Sequence, residues 1–473
     1  MTTSEVTNSI ERADRIFKMQ MARHYEIGKR PLKERRKDLK RLLDAVLANK
    51  EAIAEAVAKD LRKPALESDF SEVYPVVSEI RHNMKHLEDW AARKSYRTPM
   101  ALFGTRSWMQ PEPKGVVLIV SPWNFPFNLT LGPLASALAA GNCAILKPSE
   151  STPHSSALMA KIISEVFEPD HIALIEGEAD VSAHLTSLPF HHIFFTGGPA
   201  IGKKVMAAAA QHLTSVTLEL GGKSPAIVDS SAPIEETARK LVFGRCINSG
   251  QVCVAVDYVL AEKSICDKLL NAMREQIGHF YGRPEESADL SAIVHEKHFD
   301  HLVALLDDAK SKGAVVEVGG VHDKSRLFFS PTILSQVSPD MRVMQEEIFG
   351  PILPVMTWSS KEEAIAQVHE LERPLAYYIF SKRKSNIKFF LENSRAGSTA
   401  INEVFLQFGH PDLPFGGVNF SGIGKAHGEF GFREFSNYRS YLKKSLPFGA
   451  SKFIMPPYSK LGKRIMGLLI KWL

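Results

Sequence analysis

The stretch that decides the fold is GVVLIVS (115–121), with LTLGPLASALAAG (129–141) and NCAILK (142–147) behind it. GVVLIVS is an unbroken, β-branched apolar run, the mark of a strand buried on both faces. The second segment is helical in character and stops at a glycine, which suits a helix C-terminus. The third is a strand again. Downstream, STPHSSALMAKIISEVF (151–167) predicts a helix with Thr152 as N-cap and Pro153 in the first turn. IALIEG (172–177), HHIFFTG (191–197) and TSVTLELGG (214–222) predict further strands. Strand and helix in alternation give an α/β fold with a parallel, doubly wound, Rossmann-like sheet. Such sheets bind ligands beyond the carboxyl ends of their strands.

A second α/β unit follows. PAIVD (225–229) and DYVLA (257–261) read as strands, APIEETARKLVFGRC (232–246) and KSICDKLLNAMREQIGHFY (263–281) as helices. FFSPTILSQV (328–337) and PLAYYIFS (374–381) add strands. Upstream, residues 10–95 read as helices, with apolar positions at helical spacing in LKRLLDAVLANKEAIAEAVAKDL (39–61). RTPMALFGTRSWMQPEP (97–113) reads as a short extended arm bounded by prolines.

Composition narrows the function. The 473 residues are enough for several domains. The chain carries 58 basic and 53 acidic residues, net +5, and no basic track interleaved with aromatics, which excludes nucleic acid as a partner. Its four cysteines (Cys143, Cys246, Cys253 and Cys266) form no C-x-x-C pair. That argues against a disulfide scaffold and for a reducing, cytoplasmic compartment. The first residues, MTTSEVTNSIERADRIF, lack the apolar core of a signal peptide, and no apolar run approaches the ~18 residues that span a bilayer.

The polar residues collect just past strand ends: PWNFP (122–126), KPSE (147–150), FTGGPAIG (195–202) and LELGGKSP (218–225). The glycines Gly197, Gly198 and Gly202 fit a helix start where backbone N–H groups approach a pyrophosphate. Lys147 beside Glu150 suits ribose hydroxyls. Each feature alone is ordinary; their recurrence at successive strand ends is not. Cys253, in NSGQVCVA (248–255), is then either a buried inert thiol or a nucleophile. A zinc site is disfavoured, since no ligand set at metal spacing accompanies Cys246 and Cys253, and no metal is expected.

Together with EEIFGP (346–351) and PFGGVNFSG (414–422), these motifs resemble the aldehyde dehydrogenase superfamily in order and spacing from about residue 10 to 445. The short N-terminus, NSGQVCVAVDYVL and GIGKAHG (422–428) resemble its class 3 and fatty-aldehyde branch. The resemblance implies Cys253 as nucleophile, Glu219 as general base for hydrolysis of a thioester, and Asn124 with the cysteine N–H as oxyanion donors. It implies a cofactor, NAD with NADP as an alternative, held by Trp123, Lys147, Glu150, Gly197, Gly198, Gly202, Leu220, Glu347 and Phe349. It implies a homodimer and an aldehyde substrate, medium or long aliphatic or aromatic. It divides the chain into a dinucleotide-binding domain (1–95 and 112–221), a catalytic domain (222–409), an oligomerisation or bridging β segment (96–111 and 410–445) and a tail helix (446–473). Val252, Gly198 and Phe420 depart from the usual residues; Val252 bears on the pocket, and Phe420 on a substrate or subunit contact. Phe405, Phe408 and Phe415 are candidates for an apolar funnel. A CoA-acylating enzyme and a non-catalytic scaffold are the rivals, and the intact Glu219 and Cys253 argue against both.

The tail SKLGKRIMGLLIKWL (459–473) places Leu461, Ile465, Leu468, Leu469 and Trp472 on one helical face among Lys460, Lys463, Arg464 and Lys471. Packing on the enzyme or its dimer partner competes with a cover for the substrate funnel that also makes peripheral contact with an anionic membrane.

Overall fold

The computed structural model describes residues 3–449 and 451–472. Expectations for residues 1–2 in the first segment, and for 450 and 473 in the tail, lie outside the described residues. Six strands form the first sheet, in the order Gly422–Ile423, Ser215–Glu219, His192–Thr196, Val116–Val120, Cys143–Lys147, Ile172–Leu174. All neighbours are parallel except the edge pair made by Gly422–Ile423 with Ser215–Glu219. Val116, Val117, Leu118 and Ile119 are all fully buried, as an apolar run covered on both faces requires. From Val116–Val120 the chain moves outward through two strands, then returns to His192–Thr196 on the other flank. This reversal is a topological switch point. PWNFP and the Gly197–Gly198 turn leave adjacent strands there, where a doubly wound sheet opens its ligand crevice.

Helix Asn128–Ala140 ends at Gly141, whose φ of 92° is the left-handed conformation that glycine adopts without strain. Thr152 sits at the start of helix Pro153–Val166, but its side chain makes no capping bond. Asp60, from another helix, caps instead, accepting from the backbone N–H groups of His154 and Ser155. The helical stretch 39–61 is two helices, Leu32–Ala48 and Lys50–Leu61, broken at Asn49.

The second sheet has seven strands in the order Val315–Val318, Thr332–Ser335, Ile352–Trp358, Tyr258–Glu262, Pro225–Val228, Ala376–Phe380, Ser398–Ile401. The predicted strand 328–337 divides at Pro331. Phe328–Phe329 pairs with His322–Asp323, and only Thr332–Ser335 joins the large sheet. A third, antiparallel sheet joins Lys94–Tyr96, Thr105–Pro113 and Ser436–Lys444. The extended arm is therefore a strand only from Thr105.

Along helix Lys460–Trp472, Leu461, Leu468 and Ile470 are more than half exposed, while Gly462 is buried and Ile465 and Leu469 are half-buried. Among the described residues, no helix is long and apolar enough to cross a membrane.

Candidate active site

Helix Ile234–Cys246 delivers the chain into the loop that carries Cys253. Asn248, Ser249 and Gly250 all have left-handed φ (49°, 51° and 74°), a costly run for two side-chain-bearing residues. Hydrogen bonds hold it. Gln251 Nε2 donates to the carbonyls of Asn248 and Ala292, its Oε1 accepts from Val294 N, and Ser249 Oγ donates to Ser291 O. A Cβ on Gly250 would strike the Gly350 carbonyl, so the cysteine loop touches the EEIFGP loop backbone to backbone. Behind both lies a buried ionic group. Asp257 accepts from Arg245 (2.9 Å) and Lys223, and Lys223 also donates to the Val343 and Glu346 carbonyls. Paired in this way, the buried charges can be tolerated.

Cys253 is partly exposed, whereas Cys143, Cys246 and Cys266 are buried. It opens into a pocket of about 370 Å³. Val252, Glu219, Phe125, Phe243, Phe405 and Phe408 share the wall with it. Phe415 is 2% exposed and packs edge-on against Phe408, so of the three funnel candidates it belongs to the core. Phe420 does not reach the pocket; it lies over Lys203, 5.4 Å from ring centroid to Nζ. No tail residue lines the pocket, so among the described residues the tail is not its cover.

Glu219 ends the strand Ser215–Glu219, buried, with its Oε1 lacking a hydrogen-bond partner among the described residues. Burial pushes its carboxyl up to about 8, against the Thr196 hydroxyl and the Lys425 charge, which hold it down. Burial also pushes the Cys253 thiol up, with the Glu347 and Glu219 charges adding to it and the N–H groups of Cys253 and Val254 opposing. Asn124, 2% exposed, lies behind the pocket wall; its Nδ2 donates to the Gln251 carbonyl at 3.0 Å, and the amide carries a second hydrogen.

Of the residues expected to hold a cofactor, Trp123, Lys147, Glu150, Gly197, Gly198 and Leu220 lie at or just past strand ends of the first sheet, Gly202 in helix Pro199–Ala210, and Glu347 and Phe349 in the EEIFGP loop. Helix Pro199–Ala210 starts at Gly198 with no side-chain cap, and a Cβ at Gly198 would meet nothing within 4 Å. Gly197 and Gly202 are glycines for packing: a Cβ there would come within 2.6 Å of the Phe195 ring and 2.7 Å of Leu220. Leu220 is accordingly a core side chain, so only its backbone can meet a cofactor. Lys147 is buried, donating to the Pro148 carbonyl at 2.6 Å, with Glu150 3.8 Å away. Glu347 packs on Gly221, and burial pushes its carboxyl up to about 8. Phe349 is left-handed (φ 53°), its ring set edge-on against Trp123 at 5.4 Å. The Phe349 carbonyl lies 2.8 Å from His298 Nε2.

Sequence reasoning missed His298, the Arg245–Asp257–Lys223 group, and Lys63, Glu67 and Glu72. A lysine next to a proline (63–64) and acidic residues on a charged helix read as solvated; only their burial distinguishes them. Among the described residues, no cluster of three His, Cys, Asp or Glu side chains could hold a metal.

The fold and crevice define a dinucleotide-binding oxidoreductase with a cysteine between its two sheets. The aldehyde dehydrogenase family model matches residues 1–441, and the chain belongs to that family, in a class 3-like branch. It is 38% identical over 470 residues to aldehyde dehydrogenase family 3 member H1 of Arabidopsis thaliana, covering 99% of this chain and 95% of that protein. It is 40% identical to the mouse (Mus musculus) aldehyde dehydrogenase named dimeric NADP-preferring, covering 88% and 91%. A substrate-bound structure of Staphylococcus aureus AldH superposes with a TM-score of 0.93, at 38% identity, covering 96% of this chain and 99% of that one.

Proposed function

We propose that this aldehyde dehydrogenase oxidises apolar aldehydes, aromatic or medium to long aliphatic, to carboxylic acids through a thioester on Cys253. The observation that carries this reading is the aromatic-lined pocket on which Cys253 and Glu219 share a wall. Because its thiol is pushed up, Cys253 needs a base before it can attack. Glu219, poised by burial, is the nearby group suited to take that proton. Attack on the aldehyde carbonyl gives a thiohemiacetal, whose oxyanion the Asn124 amide and the Cys253 N–H stabilise. A nicotinamide dinucleotide, when bound, supplies the hydride acceptor that turns this adduct into a thioester. Once it has released the thiol proton to solvent, Glu219 removes a proton from the water that hydrolyses the thioester.

The open, uncapped helix start at Gly198 fits a phosphate. Lys147 and Glu150 fit ribose hydroxyls, and Glu347 and Phe349 the nicotinamide end. NAD is the preferred cofactor and NADP the alternative that the name of the mouse relative raises. Residues 1–95 with 112–221 serve as the dinucleotide domain and 222–409 as the catalytic domain. Residues 96–111 and 410–445, which hold most of the paired strands Thr105–Pro113 and Ser436–Lys444, serve as the oligomerisation segment of a homodimer. The compartment is cytoplasmic, with the exposed tail helix as a peripheral membrane contact. Reduced-nicotinamide absorbance, followed with an apolar aldehyde with and without CoA, tests the reaction class. Turnover without CoA, giving the acid, is expected; strict CoA dependence would replace hydrolysis by acyl transfer.

A further inference from the structure

The loop that carries Asn124 rests on a buried ion pair from the N-terminal helices. Arg62 closes helix Lys50–Leu61 in the left-handed conformation (φ 50°), and the chain turns Lys63 inward to 1% exposure. Further on, a π turn over Asp69–Val73, a rare form that recurs at functional sites, presents Glu72 to the same interior. Both side chains of the Lys63–Glu72 pair are fully buried, 2.7 Å apart.

Each partner then holds the PWNFP turn. Lys63 Nζ donates to the Asn124 carbonyl at 3.0 Å and sits 4.2 Å from the centre of the Phe125 ring. Glu72 Oε2 accepts from Phe127 N (3.1 Å) and Asn128 N (3.2 Å). The Asn124 carbonyl takes a second hydrogen bond from Asn248 Nδ2, and the Asn248 N–H donates to Glu67 Oε1, so the turn and the cysteine loop share one anchor. A buried ion pair is a poor source of stability, because desolvation offsets its attraction. We infer that Lys63 and Glu72 are positioning residues that fix the Asn124 peptide, and through it the oxyanion-binding amide, against the cysteine loop. This rests on the proposed roles of Cys253 and Asn124.

A purely structural role is the competing account: Glu72 would cap helix Asn128–Ala140 and nothing more. The test uses the double variant Lys63→Met/Glu72→Gln in the full-length enzyme. It removes both charges of the pair together and keeps an acceptor for the Phe127 and Asn128 N–H groups. Two reactions of Cys253 are then compared: acylation by aldehyde with dinucleotide, which forms an oxyanion, and alkylation by iodoacetamide, which forms none. Misplacing a positioned group can cost roughly 100-fold. We expect acylation to fall ~30- to 100-fold while alkylation changes by less than about threefold. In a double-mutant cycle, Asn124→Ala should add little to the loss already present, since residues acting through one group are non-additive. Lys63→Arg should restore part of the rate. Equal losses in both reactions, unchanged acylation, or losses that multiply with Asn124→Ala would overturn the inference. Asn124→Ala alone tests the oxyanion reading separately: wild-type acylation in that variant would remove Asn124 from the mechanism and this inference with it.

Discussion

The two sides of Cys253 are built from different materials. On the substrate side the wall is side chains: Phe125, Phe243, Phe405, Phe408 and Val252. On the side proposed for the cofactor glycines bring backbone close, with Gly198 open at a helix start, Gly221 under the Glu347 carboxylate and Gly250 against the Gly350 carbonyl, beside the Trp123 and Phe349 rings. The difference follows from the task. An apolar pocket needs area and shape, which aromatic rings provide, whereas a dinucleotide needs N–H donors and close backbone approach.

The largest effect expected at the junction of the two sides is that of Cys253→Ala. Loss of the nucleophile should lower aldehyde oxidation by at least ~10³-fold with the folded state intact. Turnover above about 1% of wild type in the purified variant would put the chemistry elsewhere. Next is Glu219→Gln, expected to cost about 100-fold in turnover, with acylation of Cys253 and hydrolysis of the acyl-enzyme both slowed when each step is followed by intact-mass spectrometry. The pH profile carries a further sign. With its carboxyl pushed up to about 8, Glu219 works only when deprotonated, so wild-type kcat should climb with pH through that region. A profile flat from pH 6 to about 9 would detach Glu219 from the rate-limiting proton transfer.

On the substrate wall alone, Phe405→Ala should lower kcat/KM for a long-chain or aromatic aldehyde by about tenfold, from lost apolar burial. Acetaldehyde should be affected much less, and parallel losses would show that the ring supports the loop rather than the substrate. Deleting residues 459–473 should weaken binding to anionic vesicles, measured by co-sedimentation, by roughly tenfold, since exposed apolar residues and four cations are removed together. Unchanged sedimentation would leave the helix face to a partner subunit. The smallest effect belongs to the cofactor side. Glu150→Gln should raise the NADP-to-NAD ratio of kcat/KM by about threefold, by relieving repulsion of a 2′-phosphate. An unchanged ratio would assign cofactor choice to other residues.

The same contrast explains what the sequence revealed. Strands buried on both faces announced themselves as unbroken apolar runs, and Val116–Val120 lies where GVVLIVS predicts. Ile352–Trp358 was harder to read, because Pro354 within it argues against a strand interior. Ser436–Lys444 is polar and exposed along much of its length, so nothing in its composition separates it from a loop. In the site, Cys253 and Glu219 stand beside glycine-rich motifs whose residue types declare their chemistry. Lys63 and Glu72 carry no such declaration. Their burial together depends on Arg62 turning left-handed and on a π turn, and neither is written in local propensity.

The contact between Gly250 and Gly350 bears on how such an enzyme can diversify. A methyl group at position 250 would collide with the backbone of the facing loop, and one at 350 with Leu302. The spacing between the two loops therefore has no side chain to vary at position 250, which cannot drift by single replacement, whereas at 350 the Leu302 side chain would have to give way. The pocket opposite has the reverse property: its ring-bearing positions can be exchanged one at a time without touching that spacing. Substrate range is thus free to change over evolutionary time, or in a combinatorial library, while the reacting geometry is inherited unaltered.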